Sequence, residues 1–176
     1  MPKRKKKKIA YCGIDESNHG STPEIFVAVL SDYQNDTIVS QMYNQRIRDP
    51  RLIFKHMKKR DWRYTLVSRV HYHAYNSHKI IARASMALIK GFGLDFDLLD
   101  IYIDGELQAR QIREINNNLP TIHTNVLAVP KKKGNPIRKT NKLIQLADSI
   151  ANYLFRQKAQ EELMCGKISR RKVKFR

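Results

Sequence analysis

The sequence predicts an α/β fold in which helices lie on the faces of a mixed five-stranded sheet. Three observations lead there. Five short runs rich in apolar, β-branched and aromatic residues punctuate the chain. The first two are separated only by a turn, which predicts an antiparallel hairpin. The later ones alternate with segments of helical periodicity, which predicts strands and helices wound about a common sheet.

The first strand is "KIAYCGID", residues 8–15. Alternation puts Tyr11, Gly13 and Asp15 on one of its faces and Cys12, Ile14 and Glu16 on the other. "SNHGSTP" is a turn by composition. "EIFVAVLS", 24–31, is nearly all apolar and predicts a central strand. Residues 41–63 carry many Arg and Lys residues, with Pro50 among them, and suggest only helical fragments. "RYTLVSRVHYH", 63–73, predicts a third strand. A helix follows, capped by Asn76 or Ser77, with Ile80, Ile81, Ala84, Ala87 and Leu88 at helical spacing and Gly91 and Gly93 ending it. "FDLLDIYIDG", 96–105, predicts the fourth strand and "LQARQIREINNNLP" an amphipathic helix. "IHTNVLAV", 122–129, predicts the fifth strand, and "PKKKGNPIRKT" a basic loop. The longest helical pattern spans 141–164, with Leu143, Ala147, Ile150 and Leu154 as its apolar stripe.

The 176 residues suit one domain, and 41% hydrophobic with 9% aromatic residues is a globular composition. The net charge is +18. Six basic residues lie in 3–8 and six more in 167–176, and neither segment contains an acid. The remaining body holds 22 basic and 16 acidic residues, a net +6. Both ends therefore read as flexible basic arms, and the excess charge points to a polyanion, nucleic acid above all. A membrane surface is the weaker partner, because neither an amphipathic anchor helix nor a lipidation signal accompanies the arms. No apolar run reaches the roughly 20 residues of a membrane span, and the first residues lack the apolar segment of a signal peptide. Cys12 and Cys165 form neither a CxxC pair nor a disulfide framework, so a reducing, cytoplasmic setting is expected and a structural zinc site is not.

Most of the acids fall in turns or on solvated helix faces. Four do not. Asp15 and Glu16 end the first strand, and Asp104 ends the fourth, ahead of Gly105. Asp148 sits in the last helix, where about 100° per residue sets it beside Ile144, Ala151 and Phe155, flanking the apolar stripe. Each alone has an ordinary explanation as a cap, turn or ion pair. Taken together they describe a site. If the first and fourth strands are neighbours, Asp15 and Asp104 meet at one sheet edge and a helix on that face brings Asp148 alongside. Converging carboxylates need a counter-charge, and hard divalent cations, Mg2+ or Mn2+, supply it. Such a set suits two-metal hydrolysis of a phosphodiester.

"GIDESNHG" resembles the first-strand motif GIDEAGRG of type 2 ribonucleases H, and "IYIDG" resembles their second acidic strand. "LIQLADSIANYL" is similar to the closing "QxAD" helix of a branch of the ribonuclease H-like superfamily that begins with an "IDES"-type strand. The resemblance covers roughly residues 8–158 and implies a three-layer ribonuclease H-like domain over 9–164, between a basic N-terminal arm, 1–8, and a basic C-terminal tail, 165–176. It implies a Mg2+- or Mn2+-dependent nuclease whose catalytic and metal-binding acids are Asp15, Glu16, Asp104 and Asp148. The expected substrate is RNA, DNA or a hybrid. The alternative is a non-catalytic nucleic-acid-binding or ribonucleoprotein-associated protein of the same fold.

Asn18, His19 and Gly20 stand where the type 2 enzymes have Gly-Arg-Gly, so recognition of an RNA–DNA junction is not carried over. His19 is a candidate phosphate contact, as are Lys131, Lys132 and Lys133 ahead of the last helix, although a loop position explains each equally simply. His71 and His73 would share one face of the third strand, a weak ligand pair.

Overall fold

The computed structural model describes residues 8–17, 23–32, 61–93, 96–119, 123–129, 142–156 and 171–175. The strands are β1 (Ile9–Ser17), β2 (Glu24–Ser31), β3 (Asp61–Val67), β4 (Leu98–Asp104) and β5 (His123–Val129). Among the described residues there are four helices, α1 (Arg69–Ala74), α2 (Ser77–Lys90), α3 (Ala109–Asn117) and α4 (Lys142–Arg156). The strand order is β3-β2-β1-β4-β5. β1 and β3 flank β2 antiparallel, while β4 runs parallel to both β1 and β5. The mixed five-stranded sheet expected from the sequence is therefore present. No helix of the described residues is long and apolar enough to cross a membrane.

Strand alternation sorts the core onto two faces. On one, Cys12 and Ile14 of β1, Phe26 of β2 and Ile101 of β4 pack with Ile80 and Leu88 of α2 and Ile115 of α3. On the other, Val27 and Val29 of β2 and Trp62 and Tyr64 of β3 meet Leu143, Ala147, Ile150 and Leu154 of α4. Each such aliphatic side chain, fully buried, contributes about 1.5–3 kcal/mol. The central strands are apolar almost throughout because helices cover both of their faces.

Gly13 sets the position of α4. A Cβ there would meet the Leu143 carbonyl carbon and lie 2.5 Å from the Ile144 nitrogen. The backbone of α4 thus rests directly on β1, an approach that only glycine permits.

Two expectations are corrected. The third strand stops at Val67 instead of continuing to residue 73. Ser68 stays extended as an N-cap, and the next six residues form α1. The Ser68 hydroxyl and backbone N–H both meet His71 Nδ1 at 3.0 Å, so a local cap overrides the β-branched and aromatic composition. His71 and His73, two apart on a helix, do not share a face, which removes the geometry for a two-histidine ligand pair.

The C-terminal arm is not wholly detached either. Arg171–Phe175 lies along the outer edge of β3, where Lys172 bridges to Tyr64 in parallel and the Val173 N–H donates to the Tyr64 carbonyl at 2.8 Å. Arg171 pairs with Asp61 at 2.6 Å and lies over the Trp62 ring. Phe175, 8% exposed, packs against the His71 ring. Apolar residues alternating with basic ones let this stretch bury one side and cover a sheet edge that would otherwise offer unpaired backbone.

Candidate active site

The parallel pairing of β1 with β4 brings the two strand-ending acids together. Its last register pair is Ile14 with Ile103. Asp15 and Asp104 are the next residues along, on strands about 4.8 Å apart. Gly13 and Tyr102, two residues earlier, both face α4, since Gly13 abuts Leu143 and Tyr102 packs with Ile144. Asp15 and Asp104 therefore project to that same face. They are 2% and 1% exposed. Gly105, at φ 127°, turns the chain away directly after Asp104 in a conformation that disfavours a side chain.

β1 pairs regularly through Ser17 with Ile25. Asp15 and Glu16 thus leave opposite faces of the strand, and no bend separates them before Asn18. Glu16, 7% exposed, points to the α2 face yet remains beside Asp15 through the backbone. Its N–H donates to Asp15 Oδ1 at 2.8 Å and fixes that carboxyl.

Asp148 was expected to flank the buried stripe of the last helix, and it is exposed. Its Oδ1 accepts the Asn152 side-chain N–H at 2.7 Å. Leu143, Ala147, Ile150 and Leu154 fill the groove over β1 and β2, which rotates position 148 to the rim of α4. It nevertheless acts on Asp15. Burial foremost, then the charges of Glu16, Asp104 and Asp148, push the Asp15 carboxyl from 3.8 up to about 10, against the downward pull of the Glu16 N–H. Glu16, Asp104 and Asp148 thus each oppose the charged form of Asp15.

These acids are hard oxygen donors whose mutual repulsion a divalent cation would relieve, so the chemistry of the set fits Mg2+ or Mn2+. Among the described residues, no three Asp, Glu, His or Cys side chains gather into a group that could hold a metal ion. His19, Lys131, Lys132 and Lys133 lie outside the described residues. The thiol of Cys12 is pushed up by complete burial and is inert packing.

The sequence reading overlooked Gly13, although an isolated glycine in a continuous apolar strand is a signal of close backbone approach. It also overlooked the docking of 171–175, for which the alternation of Val173 and Phe175 with basic residues is the only trace.

No protein-family model and no curated protein matches this sequence. Solved structures do. Ribonuclease H2 from Pyrococcus horikoshii OT3 is similar with a TM-score of 0.65 and 17% identity, over 90% of this chain and 77% of that one. RNase HII in the PCNA:RNase HII complex from Archaeoglobus fulgidus is similar with a TM-score of 0.62 and 16% identity, over 88% of this chain and 76% of that one. Bst-RNase HIII in complex with Mn2+ gives a TM-score of 0.60 and 17% identity, over 90% of this chain and 55% of that one. At such identities the likeness is one of architecture, and it agrees with the strand order and helix placement described above. The chain has the ribonuclease H-like fold.

Proposed function

We propose that this protein is a divalent-cation-dependent nuclease that hydrolyses nucleic acid phosphodiesters. The observation that carries the reading is the convergence of Glu16, Asp104 and Asp148 on the buried Asp15, where two parallel strands end. A fold that needed only a core has no use for two nearly inaccessible carboxylates on adjacent strands, because such a pair opposes folding.

Asp15 and Asp104 would hold Mg2+ or Mn2+, with Asp148 completing the set from the α4 rim, while Glu16, on the opposite face of β1, would act through its charge and its backbone N–H. The similar RNase HIII, solved in complex with Mn2+, supports this choice of ion. The bound cations would neutralise the carboxylates, lower the pKa of water and offset charge on a leaving oxygen. The chain's own residues provide the rest. The Glu16 N–H orients Asp15, and Gly13 holds α4 close enough for Asp148 to act on it. The charge of +18 concentrates polyanions at the surface. His19 and Lys131–Lys133 are proposed to contact backbone phosphates.

The test is cleavage of end-labelled RNA, DNA and hybrid duplexes with and without Mg2+ or Mn2+. Metal-dependent cleavage lost in folded Asp15→Asn supports the reading. Salt-sensitive binding of the same oligonucleotides without metal-dependent turnover would replace it with the non-catalytic binder.

A further inference from the structure

On the sheet face opposite α4, the C-terminal half of α2, the end of α3 and the docked segment 171–175 enclose a cleft of about 590 Å3. That volume is within the range of small-molecule sites. Among the described residues, Arg83, Lys90 and Lys174 border it, against a single acid, Glu114. Met86, Ala87 and Val173 provide apolar lining.

The cations come from elements that are already ordered. The Arg83 guanidinium lies over the Tyr75 ring, 4.6 Å from its centroid, and Lys79 meets the same ring at 5.0 Å. Lys174 is exposed between two anchored neighbours. Val173 is hydrogen-bonded to Tyr64, and Phe175 is buried beside His71. Gly91 leaves room for that segment, since a Cβ there would lie 2.6 Å from Val173 Cγ1. The positive border is thus largely preorganised, which lowers the ordering cost of binding.

We propose that this cleft binds a nucleoside phosphate, with the phosphate at Lys90 and Lys174 and the base against Met86 and Ala87, on the side toward Arg83. Lys90 and Lys174 flank the contact of Gly91 with Val173, so their ammonium groups suit a dianionic phosphate, while Arg83 stands about 10 Å back along α2 toward Tyr75. The apolar lining suits a flat heteroaromatic ring. Glu114 can accept from a ribose hydroxyl or an exocyclic amine. The same chemistry is presented by a free mononucleotide and by the terminal nucleotide of a strand. Lys79 continues the basic row toward the N-terminus of α2, where His78 Nδ1 and the Glu106 carbonyl lie 2.8 Å apart just beyond Asp104. The cleft shares no residue with the acidic site, so its ligand is independent of the nuclease reading.

The test is calorimetric titration of the full chain in EDTA with adenosine 5′-monophosphate, inorganic phosphate, and a single-stranded oligonucleotide with or without a 5′-phosphate. Saturable binding of the mononucleotide, tighter than of phosphate alone, is expected. Lys90→Ala combined with Lys174→Ala should weaken it by about tenfold, and Asp15→Asn should leave it unchanged. Both lysines are exposed, so the double variant should melt with the parent protein. A 5′-phosphorylated strand that binds more tightly than its unphosphorylated counterpart, with the gain lost in the double variant, assigns the site to a strand end. Binding of the mononucleotide without that gain assigns it to the free nucleotide. Absence of saturable mononucleotide binding, equal affinity for bare phosphate, or binding indifferent to the double variant would overturn the proposal.

Discussion

Asp15 and Asp104 occupy adjacent parallel strands one step beyond the Ile14–Ile103 pair, facing the same helix, and both are almost inaccessible to solvent. Two carboxyls so placed repel each other in a poorly solvated space. That relationship, with the charges of Glu16 and Asp148, raises the Asp15 carboxyl far above the usual carboxylate range, and its consequences can be measured.

Asp15→Asn should lower metal-dependent cleavage by about 100-fold or more, since a charged donor is replaced by a neutral one. The same substitution should raise the melting temperature of the metal-free protein at neutral pH, because it removes the cost of holding this carboxyl protonated where burial, Glu16, Asp104 and Asp148 all oppose its charge. Activity and melting temperature moving in opposite directions identify a functional group held at a cost to stability. A variant that loses activity and stability together would instead assign Asp15 a structural role.

The Asp15 carboxyl binds its proton more tightly in the folded protein, at about 10, than in the unfolded chain, at 3.8. Between those values the folded state carries more proton than the unfolded one, so this group makes stability fall as pH rises. Its contribution is fully present below about pH 4 and lost as pH passes through about 10. Urea midpoints of the metal-free protein should therefore decline from about pH 5 to about pH 9, and Asp15→Asn should flatten the slope.

Mg2+ or Mn2+ should raise the melting temperature, and more at about pH 8 than at about pH 5, because protons compete for the same oxygens. At a free concentration about one hundred times Kd the stabilisation is about 2.7 kcal/mol. That corresponds to roughly 5–10 °C for a domain of this size. Scanning calorimetry with and without EDTA measures it. Asp104→Asn should remove most of the effect.

Gly13→Ala should destabilise the protein by about 1–3 kcal/mol, since the new methyl meets the backbone of Leu143 and Ile144 rather than a side chain that can swing aside. Cleavage should fall further than stability accounts for, because lifting α4 off β1 withdraws Asp148 from Asp15. A matched substitution at Gly93, where a Cβ meets nothing but φ is 82°, provides a comparison with backbone strain and no displacement of α4.

The local pattern of the chain carries a large part of this architecture. Apolar runs and alternation mark all five strands, the Asn76 cap and Gly91 bound α2, and the acids at strand ends stand out because a core element stops where they begin. These features are local, written in neighbours within a few residues, and a sequence displays them directly. The failures were local too where two signals competed. At Ser68 a capping hydroxyl prevailed over β-branched composition, and α1 replaced the end of a strand. What the sequence could not state is which elements lie side by side. The register of β1 against β4, the contact of α4 on Gly13, the rim position of Asp148 and the seating of Phe175 beside His71 depend on pairings between residues tens of positions apart. Such pairings are chosen by the packing of the whole sheet, so the identity of the acids was legible in advance, while their meeting at Asp15 required the folded chain.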